Sequence, residues 1–222
     1  MPAIPHADRT FAAFLFDMDG TLIDSIASAN RAWSRWALRH GLDPAPLLAT
    51  MHGVRAVETI RRWAPPGTDV EAEVAQLTRD EIDDVAGTVA IPGAPAFVAD
   101  LPAARWAVVT SAPRALAHVR LMAAGLTPPP VMITADDVSQ GKPAPDPFLL
   151  AARQLEVAPR DCLVWEDAPA GITAGEAAGA AVAVITATHH QPLETRHPLV
   201  PNYEPLKATV AADGRLRVTA RN

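Results

Sequence analysis

Asp17 and Asp19 stand two residues apart where an apolar run, Phe11 to Phe16, gives way to Gly20 and Thr21. On an extended chain that spacing sends both side chains to the same side, so both carboxylates address one pocket. Two carboxylates this close do not both stay ionised cheaply unless a cation lies between them or one keeps a proton. Either solution suits catalysis. Metal-assisted phosphoryl transfer uses each: one carboxylate ligates Mg²⁺ and attacks phosphorus, while the other protonates the leaving oxygen and then deprotonates water. A lone Asp-x-Asp is equally compatible with a strand end carrying solvated acids, so its neighbours must decide.

Two more acids, Glu166 and Asp167, follow the apolar run Asp161 to Trp165 and precede a helix start. They fall on the rim of a second strand, where hard oxygen ligands for Mg²⁺ would be needed. The 19 Lys+Arg residues include two lysines, Lys142 and Lys207, which leaves 17 arginines. A chain that favours arginine for generic positive charge nevertheless keeps lysine at position 142. A compact ammonium there can neutralise a nucleophilic carboxylate and a phosphate oxygen together.

Four stretches carry a family resemblance. FLFDMDGTLIDS resembles the first motif of the haloacid dehalogenase superfamily of phosphotransferases; VVTSAPR, GKPAPDPF and VWEDAPAGITAG resemble the second, third and fourth, in the expected order between Phe14 and Gly175. The resemblance implies that Asp17 forms an aspartyl-phosphate, that Asp19 acts as acid and base, and that Ser111, with Thr110 beside it, binds the transferred phosphoryl group. It further implies that Lys142 is the catalytic lysine. Mg²⁺ would be held by Asp17, the backbone carbonyl of Asp19, Asp167, and Glu166 directly or through water.

Departures within the motifs sort the reactions. The dehalogenase branch lacks an acid/base Asp at the position of Asp19, so phosphate chemistry is favoured over carbon–halogen cleavage. The phosphonate-cleaving branch needs a cap lysine for a Schiff base, and residues 25–88 contain none. Phosphosugar mutases of the β-phosphoglucomutase type are the alternative, but they typically carry a histidine twelve residues after the nucleophile, where this chain has Ala29. MHGVRAVETI, by contrast, resembles the His-Gly stretch in caps of sugar-phosphate and polyol-phosphate phosphatases. That likeness implies that Arg55 grips a substrate phosphate or hydroxyl and that His52 hydrogen-bonds the sugar. The expected activity is a Mg²⁺-dependent phosphatase acting on a small phosphorylated metabolite.

The elements that must position these residues are legible in the periodicity. Short apolar runs at Phe11–Phe16, Arg105–Thr110, Val131–Thr134, Asp161–Trp165 and Ala181–Ile185 alternate with helical patterns at Pro113–Ala124, Asp146–Leu155 and Pro169–Ala178. This predicts an α/β fold, a doubly wound, Rossmann-like parallel sheet with ligands at the carboxyl ends of its strands. Ser25–His40, Val54–Trp63 and Val70–Val85 read as helices with no strand between them. The chain therefore divides into a catalytic core, residues 1–24 and 89–222, and an inserted helical cap, residues 25–88. LKATVAADGRLRV predicts a terminal hairpin turning at Asp213-Gly214. Trp33, Trp36 and Trp63, at helical spacing, are expected in the cap core. His189-His190 is expected to be loop, Cys162 a small buried hydrophobe, and Arg114 faces either substrate or solvent.

Composition narrows the remaining classes. With 49% hydrophobic and 20% charged residues the 222-residue chain has the balance of a folded globular protein. A net charge of -6 argues against coating nucleic acid or an anionic membrane. A single cysteine excludes an internal disulfide. No apolar run approaches the roughly 20 residues of a membrane span, and the first ten residues have no signal-peptide pattern. A cytoplasmic location is expected; nothing in the sequence speaks to oligomeric state.

Overall fold

A strand buried on both faces satisfies its backbone only inside a sheet, and the apolar runs pair accordingly. The computed structural model describes residues 4–221. In chain order its principal elements are β1 (Ala13–Phe16), β2 (Ile23–Asp24), α1 (Ile26–Arg39), α2 (Pro44–Met51), α3 (Ala56–Trp63), α4 (Val70–Asp83) and β3 (Val89–Ala90). There follow α5 (Ala94–Ala99), β4 (Trp106–Val109), α6 (Arg114–Ala123), β5 (Met132–Ile133), α7 (Asp146–Gln154), β6 (Cys162–Glu166) and α8 (Pro169–Ala177). The chain ends with β7 (Ala181–Ile185), β8 (Leu199–Val200), β9 (Leu206–Val210) and β10 (Leu216–Ala220).

Six strands form a parallel sheet in the order β5-β4-β1-β6-β7-β8. After β1 the chain builds outward on one side through β4 and β5, then returns to the other side of β1 for β6. That reversal opens a crevice at the carboxyl ends of β1, β4 and β6. The period-2 alternation sorts the core into two layers. Phe14, Phe16, Leu163 and Trp165 join Phe97 of α5 and Leu116 and Leu121 of α6 on one face. Ala13, Leu15, Cys162 and Val164 join Phe148 of α7 and Ile172 of α8 on the other. Removing a Phe or Leu from water in this way contributes about 1.5–3 kcal/mol each. Burial pushes the Cys162 thiol up to about 12, so it behaves as a small hydrophobe.

Helices α1 to α4 enclose their own cluster, with Ala32, Trp36, Leu47, Ile60 and Leu77 fully buried, Trp33 nearly so and Trp63 packed at its edge. Trp36 can be buried because its Nε1 donates to Glu73 Oε2 at 2.9 Å. Helix α2 was not anticipated, because two prolines and a weak apolar pattern disguise it. Its start is nonetheless conventional: Pro44 occupies the first turn and the Asp43 carboxylate accepts from Ala45 N at 3.0 Å.

The two segments that leave and re-enter the core also pair with each other. Ile23 lies opposite Ala90 and Asp24 opposite Val89, antiparallel. The cap therefore hangs from a two-stranded ribbon, β2–β3, instead of two independent linkers. The terminal hairpin β9–β10 forms as expected and joins the core through a bridge between Phe11 and Leu216. Among the described residues, no helix is long and apolar enough to cross a membrane.

Candidate active site

The end of β1 delivers Asp17 to the floor of the crevice, 5% exposed. Lys142, from the loop before α7, meets it there. Its ammonium donates to Asp17 Oδ1 at 2.6 Å, Glu166 Oε1 at 2.7 Å and the Val109 carbonyl at 2.9 Å. An ammonium has three hydrogens, and all three are used. Glu166, at the end of β6, is fixed just as fully: Oε2 accepts from the amides of Asp167 and Ala168, both at 2.8 Å. Gly171, in the first turn of α8, makes room for this carboxylate, since a Cβ there would sit 1.5 Å from Glu166 Oε1. Sheet, loop and helix start thus converge on one buried ion cluster.

Electrostatics make that cluster demanding. Burial pushes the Asp17 carboxyl up to about 7, against the pull of Lys142 and with Glu166 adding to the rise. Burial also holds Asp167 well above the usual carboxylate range, and the charges of Glu166 and Asp17 push it the same way. Burial works to lower the Lys142 pKa, yet Asp17 and Glu166 outweigh it and leave the ammonium above its usual value. Oxygens of Asp17, Glu166 and Asp167 lie within 4.8 Å of one another. Three hard donors short of positive charge fit a divalent cation.

Asp19 stands one turn further on, beside a backbone that only glycine accommodates. Gly20 has φ +90°, and a Cβ there would sit 2.0 Å from Asp167 Oδ2. Ser25, at the head of α1, does not cap its helix; its hydroxyl donates to Asp19 Oδ1 instead. At the end of β4, Thr110 Oγ1 accepts from Ala112 N at 3.0 Å and shapes the turn that presents Ser111. Asp17, Asp19, Thr110 and Ser111 line one cavity of about 70 Å³.

The cap closes that cavity from above. His52, at the C-terminal end of α2, is in its wall together with Gly53 and Ala29. Burial pulls His52 below its usual pKa, against the charge of Asp19 and with Arg120 reinforcing the fall, so the ring is neutral at pH 7. Ser111 Oγ donates to the Gly53 carbonyl at 2.9 Å, a direct link from core to cap. Arg55 is placed differently from the other residues singled out in the sequence. Its guanidinium donates to Glu58 Oε1 and reaches across to the core loop, donating to the carbonyls of Val138 and Ser139, both at 3.0 Å. It grips the loop that carries Lys142. Arg114 likewise turns away, pairing with Asp137 at 2.6 Å and the Met132 carbonyl.

Two residues at the site, Arg120 and Glu81, carried no signal in the sequence, and His189, expected as loop, joins them there. Arg120 of α6, 4% exposed, donates Nη1 to Asp19 Oδ1 at 3.0 Å and Nη2 to Glu81 Oε1 at 2.9 Å. Glu81 comes from the cap helix α4, and burial pushes its carboxyl up to about 7 despite the pull of Arg120. His189 Nε2 donates to the Asp167 carbonyl at 2.9 Å and steadies the rim. Its loop borders a second cavity, of about 550 Å³, that shares His52 and Val54 with the first.

A doubly wound sheet, a helical cap and an acidic rim with a buried lysine define a capped α/β enzyme. The sequence pattern of haloacid dehalogenase-like hydrolases matches residues 11–179, and the chain belongs to that family. It is 44% identical over 183 residues to hexitol phosphatase A of Escherichia coli (strain K12), covering 81% of this chain and 85% of that one. It is 34% identical to 2-deoxyglucose-6-phosphate phosphatase 1 of Saccharomyces cerevisiae, covering 79% of this chain and 80% of that one. A crystal structure of a hydrolase from Pseudomonas syringae superposes with a TM-score of 0.71 at 25% identity, covering 81% and 87% of the two chains.

Proposed function

We propose that this protein is a cytoplasmic, Mg²⁺-dependent phosphatase for sugar or polyol phosphates, working through an aspartyl-phosphate on Asp17, with residues 25–88 as its closing cap. The observation that carries the reading is the Asp17 carboxylate: Oδ1 is fixed by Lys142, while Oδ2 has no hydrogen-bond partner among the described residues and Asp17 lines the cavity. One oxygen is held and the other is free to attack.

In the first step Asp17 Oδ2 forms a bond to phosphorus and the phosphorus–oxygen bond to the alcohol breaks. Asp19 gives its proton to the departing oxygen. In the second step Asp19 takes a proton from water, the water oxygen attacks phosphorus, and the bond to Asp17 breaks to release phosphate. Lys142 balances charge on Asp17 and the transferred group, and Ser111 and Thr110 border the space that group occupies. Asp17, Asp167, the Asp19 carbonyl, and Glu166 directly or through water would hold Mg²⁺, which when bound neutralises phosphate oxygens and draws density from phosphorus.

Two observations favour small hydroxylated substrates and hydrolysis. The cavity, about 70 Å³, is far below the roughly 300–1,000 Å³ of sites for drug-sized ligands. The position at which the mutases carry histidine is Ala29, whose methyl lies in the cavity wall. The relatives named above, phosphatases of a hexitol phosphate and of a deoxyhexose phosphate, point the same way.

The test is a phosphate-release screen over sugar, polyol and short-acid monophosphates with and without Mg²⁺, repeated with Asp17→Asn. Release that needs Mg²⁺ and falls at least about 10,000-fold in the variant is expected. Unchanged release by the variant, or none by the wild type, overturns the reading.

A further inference from the structure

A buried guanidinium is costly unless its hydrogens meet carboxylates, and the two carboxylates that Arg120 meets come from different parts of the molecule. Nη1 donates to Asp19 Oδ1 at 3.0 Å, on the rim of the core, and Nη2 to Glu81 Oε1 at 2.9 Å, on the cap helix α4. Arg120 and Glu81 are both buried, so withdrawing either would leave an uncompensated charge. A guanidinium is also a rigid planar fork. With Nη2 anchored on Glu81 the direction of Nη1 is set, and a cap that lifts Glu81 away removes the contact that aims it.

Asp19 shows what the fork is aimed at. Its Oδ1 accepts from Arg120 and also from Ser25, at the head of α1, whereas its Oδ2 has no hydrogen-bond partner among the described residues. The side chain is partly exposed and lines the cavity beside Asp17. In a protonated carboxyl group one oxygen only accepts and the other carries the hydrogen. Two donors on Oδ1 make it the accepting oxygen, which leaves the hydrogen on Oδ2.

We propose that Arg120 is a positioning residue for the acid step: with Ser25 it holds Asp19 so that the proton for the departing oxygen sits on Oδ2, and Glu81 makes that hold depend on a closed cap. This role deepens the phosphatase reading and rests on it. As the ester breaks, the Oδ2–H bond breaks with it and the proton goes to the alcohol oxygen leaving phosphorus. Asp19 is left as a carboxylate, which Arg120 and Ser25 stabilise through Oδ1 until it takes a proton from water. Because Glu81 belongs to the cap and Arg120 to the core, the acid is aimed only when the substrate is covered.

The experiment measures kcat/KM, with Mg²⁺ present, for glycerol 1-phosphate, whose alkoxide must be protonated as it leaves, and for p-nitrophenyl phosphate, whose phenolate leaves without a proton. This constant covers the steps up to release of the alcohol or phenolate, so hydrolysis of the aspartyl-phosphate, common to both esters, does not enter it. Asp19→Asn sets the scale, with an expected loss of about 100- to 10,000-fold on the glycerol ester and about tenfold or less on the aryl ester. Arg120→Met and Glu81→Ala should repeat that asymmetry in smaller measure, each losing about ten times more on the glycerol ester than on the aryl ester. Arg120→Lys keeps the charge and most of the volume but not the fork; it should show the same asymmetry, and it carries the test where Arg120→Met does not fold. Glu81→Gln keeps an acceptor for Nη2 and should recover most of what Glu81→Ala loses. Equal losses on both esters in the Arg120 and Glu81 variants overturn the proposal and make the pair a structural tie between cap and core. Wild-type rates in those variants overturn it too. Equal losses on both esters in Asp19→Asn leave Arg120 no acid to position, which overturns this role while the phosphatase reading stands. Absence of phosphate release from any monoester by the wild type overturns both.

Discussion

The floor and the roof of the cavity are secured by different means. On the floor, Lys142 donates charge-assisted hydrogen bonds to Asp17, Glu166 and the Val109 carbonyl at 2.6 to 2.9 Å, and the two residues that fix the geometry, Lys142 and Glu166, are 1% and 0% exposed. The roof meets the core through separate polar links, among them Ser111 to the Gly53 carbonyl, Ser25 to Asp19, Arg55 to the carbonyls of Val138 and Ser139, and Arg120 to Glu81. The floor is fixed by the strand ends that carry Asp17 and Glu166 and by the loop that carries Lys142. The roof hangs at the end of the β2–β3 ribbon and is joined to the core by these polar contacts and by Ile82 of α4, which packs against the core cluster.

Cutting the floor should therefore cost most. Lys142→Met keeps much of the side-chain volume but leaves Asp17 and Glu166 buried without a counter-charge. Breaking a buried pair in this way costs about 3–5 kcal/mol. Urea unfolding of the metal-free protein at pH 7.5 measures it, and a loss below about 1 kcal/mol would show that the floor is not locked by charge. Added divalent cation should restore part of the loss, because it supplies the positive charge that the variant lacks.

A second experiment reaches the seam between floor and roof. Burial lifts Glu81 from the ordinary 4.5 to about 7, so the folded protein holds that proton more tightly than the unfolded chain. Its contribution is then fully present below about 4.5 and is lost as pH rises through about 7. For a group this deeply buried the loss is roughly 3 kcal/mol at most. Glu81→Gln removes that share, so its stability curve should be flatter than the wild type's across this window. Parallel curves would mean that Glu81 does not carry the proton.

The legibility of the molecule divides along the same line. Both-faces-buried strands announce themselves as short apolar runs, and whatever follows such a run lies at a strand end. Hence Asp17, Asp19, Thr110, Ser111, Glu166 and Asp167 were expected around one crevice, and the structure gathers them there. Arg120 and Glu81 had no comparable marker. Arg120 is one of 17 arginines and lies 101 residues from Asp19 in the chain; only the packing of α6 beside α4 brings the three groups together. Helix α5 was missed because it is six residues long and begins after Gly93 in a left-handed conformation. Spacing places a residue on an element, but the direction of a long side chain depends on what lies opposite.

Arg55 shows the last point most clearly and gives the smallest effect. Its neighbours in the sequence imply a grip on substrate, whereas its guanidinium is paired with Glu58 and two core carbonyls. The Glu58 pair is partly exposed, 12% and 33% for the two side chains, and such i,i+3 pairs contribute only a few tenths of a kcal/mol. The two carbonyl contacts add more, for a total of about 1 kcal/mol, or roughly fivefold in an equilibrium. If closure is what Arg55 holds, Arg55→Ala should lower kcat/KM about fivefold for every phosphoester alike, with inhibition by inorganic phosphate shifted by the same factor. A residue that grips the phosphate itself would behave otherwise, raising the phosphate inhibition constant 100-fold or more. That result would return Arg55 to the role its sequence context implies and require its side chain to swing from the carbonyls into the cavity on substrate binding.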